Sequence, residues 1–278
     1  MYISIRPNGR GKNKMKTMEL NEIGNSALRI ENISKKFEKE KAVLNDINID
    51  ILPNSCFCLL GKNGAGKSTL FNILANLLNP DSGNILWKGK EINKCLKEFK
   101  GSTGFMLDHK VLINEFTGMQ FLKFVASIYG LKDDTESKIL KITDYFFENQ
   151  DDLNKKIESY SSGMKQKLSF CSVILHKPDI LILDEPFASL DAISSNRLIK
   201  FIKQYMKNRI VIISSHDLSY VEKIATHIGV LDEGELKFNG DKNEFIEKGE
   251  MMIEDALFKY IQPKEYSVSL EELSWLFN

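Results

Sequence analysis

The chain has 278 residues, enough for one large domain or two small ones. Hydrophobic residues at 42% and charged residues at 27% exclude a wholly disordered chain, a collagen-like repeat and a coiled-coil rod. Lys and Arg total 38 and Asp and Glu total 38, so bulk charge supplies no pull toward nucleic acid or an anionic membrane, and no nucleic-acid partner is expected.

Residues 1–17 hold Arg6, Arg10, Lys12, Lys14 and Lys16 with no acid and no hydrophobic period. We read 1–27 as a disordered basic lead. Arg6, Pro7, Asn8, Gly9 and Arg10 stand where a signal peptide would need an apolar segment, so a cytoplasmic location is expected. Leu28, Ile30 and Ile33 predict a first strand. Ile47, Ile49 and Ile51 alternate with polar residues and predict a strand with one buried face. Pro53 and Asn54 turn the chain into the apolar run 56–60, which suits a strand buried on both faces. A glycine-rich loop follows, then a predicted helix with Leu70, Ile73, Leu74, Leu77 and Leu78 on one side, closed by turn chemistry at 79–83.

The middle of the chain changes character. Thr117 with Gln120 forms a capping-box signature, and helices are predicted over 118–129 and 135–148 within a helical insert of about 106–175. Phe116, Phe121, Phe124 and Tyr129 fall at helical spacing and are read as core. Strands return at 179–183 and 210–214, with two short ones near 228–232 and 235–238 around Gly234. From 241 to 278 the pattern is short and helical, with Ser269 as a cap. Strands alternating with helices predict a mostly parallel α/β sheet. The longest apolar runs are strand-sized, far below the roughly 18–20 residues a membrane-spanning helix needs. Cys56, Cys58, Cys95 and Cys171 have no zinc spacing and are read as reduced thiols packed as small hydrophobes.

Two segments carry chemistry. Gly61-Lys62-Asn63-Gly64-Ala65-Gly66-Lys67-Ser68 fits G-x-x-x-x-G-K-[ST], placed after a buried strand and opening a helix. Its glycines let successive amides turn inward on an anion, and the helix N-terminus adds partial positive charge. Lys67 would sit on the β- and γ-phosphates, and Ser68 would offer its hydroxyl to Mg²⁺. The second segment is the strand 180–183 ending in Asp184-Glu185-Pro186. Adjacent carboxylates at a strand end serve a cation or a proton transfer. Asp184 would hold Mg²⁺ through water, and Glu185 would act as general base on the attacking water.

Between them stands Tyr160-Ser161-Ser162-Gly163-Met164-Lys165-Gln166-Lys167-Leu168. At this point the chain resembles the nucleotide-binding domain of ATP-binding-cassette (ABC) transporters, whose signature is a Leu-Ser-Gly-Gly-Gln type sequence at a helix start. This variant is similar to ATPase subunits that serve separate type-2 exporter permeases. The resemblance covers about residues 28–260. It implies a P-loop NTPase (RecA-like) core with an antiparallel β subdomain and an inserted α-helical subdomain, over a domain of about 28–240. It implies ATP and Mg²⁺ as ligands, with ATP on the run from Gly61 through Thr69 and adenine stacked on Phe37. Ser161, Ser162, Gly163 and Met164 would meet the nucleotide of a second copy. Asp191 would cross the dimer interface after Ser189-Leu190, and His216 would touch the γ-phosphate. The partners implied are a second copy, forming an ATP-dependent homodimer, and a separate membrane permease that places the chain at the cytoplasmic face.

Three positions depart from the family pattern. Asp108, after Gly104-Phe105-Met106-Leu107, stands where Gln or Glu is usual and would reach Mg²⁺-bound water over a shorter side chain. Ser162 replaces the first signature glycine and Met164 the terminal glutamine. A non-transport ATPase of the same superfamily, acting in assembly or remodelling, is the alternative. Long coiled-coil insertions and a second cassette, marks of chromosome-type and translation-type members, are absent from the sequence. A simple P-loop kinase is disfavoured by the signature, the acid pair and His216.

Overall fold

The computed structural model describes residues 28–37, 42–107, 112–132, 134–261 and 276. The basic lead, Asp108 and the Ser269 cap lie outside the described residues. In chain order the elements are β1 (Leu28–Lys35), β2 (Leu44–Ile51), β3 (Ser55–Leu60), α1 (Lys67–Leu74), β4 (Ser82–Trp87), β5 (Lys90–Glu91), α2 (Leu96–Gly101) and β6 (Thr103–Met106). Three helices come next, α3 (Gly118–Ile128), α4 (Thr135–Phe146) and α5 (Ser162–Ile174). The chain then runs through β7 (Ile180–Asp184), α6 (Ala192–Tyr205), β8 (Ile210–Ser214), α7 (Leu218–Ile224), β9 (His227–Asp232), β10 (Glu235–Asp241), α8 (Lys242–Phe245) and α9 (Ile253–Phe258).

The alternation of side chains along each strand explains the layering. On β3, Cys56, Cys58 and Leu60 point to one face, and Phe57 and Leu59 to the other. The first face, with Leu181, Leu183, Val211 and Ile213, packs against the helical block and α6. The second, with Ile180, Ile182, Ile210 and Ile212, packs against α1 and the inward isoleucines of β1 and β2. Burying both faces is what a central parallel strand requires. The main sheet runs β10-β9-β3-β8-β7-β6, parallel throughout except for the β9–β10 hairpin. A second, antiparallel sheet runs β2-β1-β4-β5. The Cys56 and Cys58 sulfurs share a face 3.9 Å apart, and burial pushes the Cys171 thiol up in pKa, as expected of packed reduced thiols.

Two sequence expectations are corrected. The helix through Leu70 ends at Leu74, because Asn76 turns into the left-handed region at φ 52. The Leu77 and Leu78 amides fold back to the Asn72 carbonyl, and Leu77 is left exposed. Of the four aromatics, Phe121 is core and Phe116 packs partly buried against the core, but Phe124 is exposed on α3, and Tyr129, just past its end, is 39% exposed with its ring stacked on His176 at 3.7 Å. The Thr117 capping box does form, with Thr117 Oγ1 accepting from the Gln120 amide and the Gln120 side chain accepting from the Thr117 amide. Among the described residues, no helix is long and apolar enough to cross a membrane.

Candidate functional site

The loop 61–66 leaves the C-terminal end of β3 and delivers Lys67 as the first residue of α1. Gly66 takes φ 109, and a Cβ there would stand 2.7 Å from the Val43 carbonyl oxygen, so only glycine fits. Lys67 is buried, and its ammonium donates to the Gly61 carbonyl at 2.7 Å and the Lys62 carbonyl at 3.1 Å. Burial lowers its pKa, while the carboxylates of Glu185 and Asp184 pull the other way. The side chain therefore lies folded back over the loop, its ammonium held by the Gly61 and Lys62 carbonyls.

The acid pair closes the site from the next strands. Asp184 ends β7 directly beside Ser214, which ends β8. Asp184 Oδ2 accepts the Ser68 hydroxyl at 3.1 Å, and Oδ1 accepts the Ser214 hydroxyl. Ser214 Oγ in turn accepts the Glu185 amide at 3.0 Å. Glu185 sits at φ 47, a conformation that costs a non-glycine residue on the order of 1–3 kcal/mol unless held. Its carbonyl accepts Gln166 Nε2 at 3.0 Å, and its Oε2 lies 2.9 Å from His216 Nδ1. The His216 ring is otherwise exposed.

Lys67, Ser68, Asp184 and Glu185 line one cleft of about 420 Å³. Phe37 stands at its rim, Asn63, Gly64, Gly66, Lys67, Ser68 and Thr69 form its floor, and Asp184 and Glu185 its wall. Gly61 and Lys62 face the Lys67 ammonium, and Ala65 is buried behind the loop. The signature residues lie elsewhere. Ser161, Ser162, Gly163, Met164 and Asp191 line a second cleft of about 560 Å³, with no residue in common with the first. Ser161 caps α5 by accepting the Met164 amide at 3.2 Å. Asp191 caps α6, its Oδ1 accepting the Ser194 amide at 2.8 Å, and these hydrogen bonds, with Lys167 nearby, lower its pKa.

Ser68 and Asp184 offer a hydroxyl and a carboxylate, hard oxygen donors suited to Mg²⁺. Among the described residues no group of three His, Cys, Asp or Glu side chains forms a protein cage for a metal. A Mg²⁺ ion typically takes one or two protein ligands, phosphate oxygens and water, and the donor set fits that habit. Ser214 and Gln166 were not singled out from the sequence. The signal for Ser214 was its place at the end of the strand next to the acid pair. Gln166 carried none apart from lying inside the signature run.

The model of the family described as ABC transporter matches residues 44–188, just over half of the chain. The chain belongs to the ABC transporter family. The linearmycin resistance ATP-binding protein LnrL of Bacillus subtilis is 33% identical, over 78% of this chain and 70% of its own length. The lantibiotic transport ATP-binding protein SrtF of Streptococcus pyogenes is 32% identical, over 78% of this chain and 93% of its own. Among solved structures, the dimeric ATP-binding cassette MJ0796 bound to ADP and Pi superposes with a TM-score of 0.70 at 20% identity, covering 77% of this chain and 98% of that one. The fold is thus that of an ABC cassette, and the chain is an ABC transporter ATP-binding protein.

Proposed function

We propose that the chain is the ATP-hydrolysing subunit of an ABC exporter and works as a homodimer with ATP held between two copies. The observation that carries this reading is the separation of the two clefts. Lys67, Ser68, Asp184 and Glu185 line one, with His216 set against Glu185, whereas Ser161 and its helix end line another. One chain then holds two half-sites, which two copies joined head to tail complete.

In this reading the loop amides and Lys67 bind the β- and γ-phosphates of ATP. Ser68, with Asp184 acting through water, would hold Mg²⁺, which would supply positive charge against the phosphate oxygens. Glu185 accepts a proton from water as the water oxygen bonds to the γ-phosphorus and the bond to the ADP oxygen breaks. His216 keeps the Glu185 carboxylate turned to that water and touches the γ-phosphate. ATP then holds the dimer closed, and its hydrolysis lets the dimer open. We propose 28–240 as the cassette, with the insert of about 106–175 carrying the contact to a separate membrane permease and 241–278 as an extension. Phe124, Ile128 and Tyr129, exposed along α3, support such a contact. Export is supported by the names of LnrL and SrtF, which refer to linearmycin resistance and lantibiotic transport. The permease would place the chain at the cytoplasmic face of the membrane.

Glu185→Gln tests the reading. Loss of the base lowers turnover by about 10²–10⁴-fold, and the variant with MgATP elutes as a dimer in gel filtration. Wild-type turnover by this variant would remove Glu185 from the role of base.

A further inference from the structure

Glu185 occupies a backbone conformation that relaxes unless its surroundings fix it. Three hydrogen bonds fix its peptide groups: its amide donates to Ser214 Oγ, and its carbonyl accepts the Ala188 amide at 3.1 Å from within its own loop and Gln166 Nε2 from outside it. Ser214 belongs to the sheet. Gln166 belongs to α5, the helix whose N-cap is Ser161.

Gln166 is 1% exposed, and its Oε1 has no partner among the described residues. Burying an amide costs free energy that an aliphatic side chain of the same length would not incur. The recorded return on that cost is the hydrogen bond to Glu185. The same helix also touches the far end of the Glu185 loop. A Cβ on Gly163 would lie 2.7 Å from the Ser189 carbonyl oxygen, and Ser189 itself takes φ 61. The first turns of α5 therefore grip the segment 185–189 at both ends.

We propose that Gln166 is a positioning residue that ties the pose of the Glu185 carboxylate to helix α5. The inference rests on the functional reading above, in which Ser161 meets the partner's nucleotide and Glu185 serves its own. Five residues of helix, about 7.5 Å, separate Ser161 from Gln166. Helix α5 is then a short rigid lever between the two nucleotides. Engagement of its N-terminus at one site sets the base at the other.

The test is steady-state ATP hydrolysis by the full chain. Gln166→Met keeps the shape and removes the donor. It lowers kcat about tenfold, the usual worth of one neutral hydrogen bond, with KM for MgATP and the thermal midpoint unchanged. Single-turnover release of labelled phosphate adds the decisive comparison: in the Glu185→Gln background, Gln166→Met causes no further loss. A structural defect would raise KM or lower the midpoint, and would reduce the slow Glu185→Gln rate as well. Wild-type kcat in Gln166→Met, or an equal loss in both backgrounds, overturns the proposal. Should the Met variant fail to fold, Gln166→Asn carries the same test, since its amide is one carbon too short to reach the carbonyl. A wild-type chain that hydrolyses no ATP, alone or with its permease, would sink the functional reading. Wild-type turnover left intact by both substitutions would sink only this inference.

Discussion

Tyr160 and Tyr205 each bury a phenol and satisfy its hydroxyl with one carbonyl, Asp152 at 2.6 Å and Pro178 at 2.7 Å. Burial pushes both pKa values up to about 12, with the Asp152 charge adding to the shift at Tyr160. The folded chain therefore holds these protons more tightly than the unfolded chain, where the value is 10.0. Their contribution to stability is complete below pH 10 and is lost as pH rises toward 12. An alkaline titration followed at 295 nm should show Tyr160 and Tyr205 titrating late, beside Tyr129, which burial also raises, and thermal midpoints should fall across that window. Either tyrosine titrating near 10 in the folded protein contradicts this. At this scale the loop 61–68 and the pair Asp184–Glu185 were legible in the sequence, because their chemistry needs fixed spacing along the chain. Ser214 and Gln166 were not, since each acts across the sheet or from a neighbouring helix, and spacing records neither.

Helix ends show the same division. Thr117 announces α3 in the sequence, whereas the caps of α5 and α6, Ser161 and Asp191, are seen only in the fold; each side chain accepts an amide of the first turn. Removing the Asp191 carboxylate with Asp191→Ala costs about 1 kcal/mol, which lowers the thermal midpoint by about 2–4 °C in a domain of this size. Calorimetry without nucleotide reads that loss apart from any role at a dimer interface, and an unchanged midpoint would show the cap to be idle. The end of α1 was misread because Leu77 and Leu78 continue the helical spacing while Asn76 supplies the left-handed turn. Strands β4 and β5 gave no periodic signal: only Ile85 and Trp87 of β4 are buried, and β5 is two residues long. β4 pairs with the second edge of β1, and β5 in turn with β4.

For the whole molecule, the alternation of strand and helix gave the parallel sheet, but the strand order is tertiary. The site exists because β3, β7 and β8 end side by side, so nucleotide bound there favours the assembled sheet over the unfolded chain. MgATP at about 100 times its dissociation constant should stabilise the Glu185→Gln protein by about 2.7 kcal/mol, seen as a rise in thermal midpoint. Glu185→Gln with Lys67→Ala should lose most of that rise, because the loop no longer holds the phosphates. An equal rise in both would place the nucleotide away from this cleft.

Strand β3 is flanked by β8 and β9, so Cys56 lies opposite Val211 and Phe57 opposite His227. During synthesis the apolar strand emerges without either neighbour and waits while the intervening chain is made. At ribosomal speed that delay is on the order of ten seconds. Throughout it, five consecutive apolar side chains, from Cys56 to Leu60, have no sheet to join. The nascent chain is therefore a natural client for a chaperone until β9 leaves the ribosome, and the phosphate loop takes its working shape only after the last parallel strand has docked.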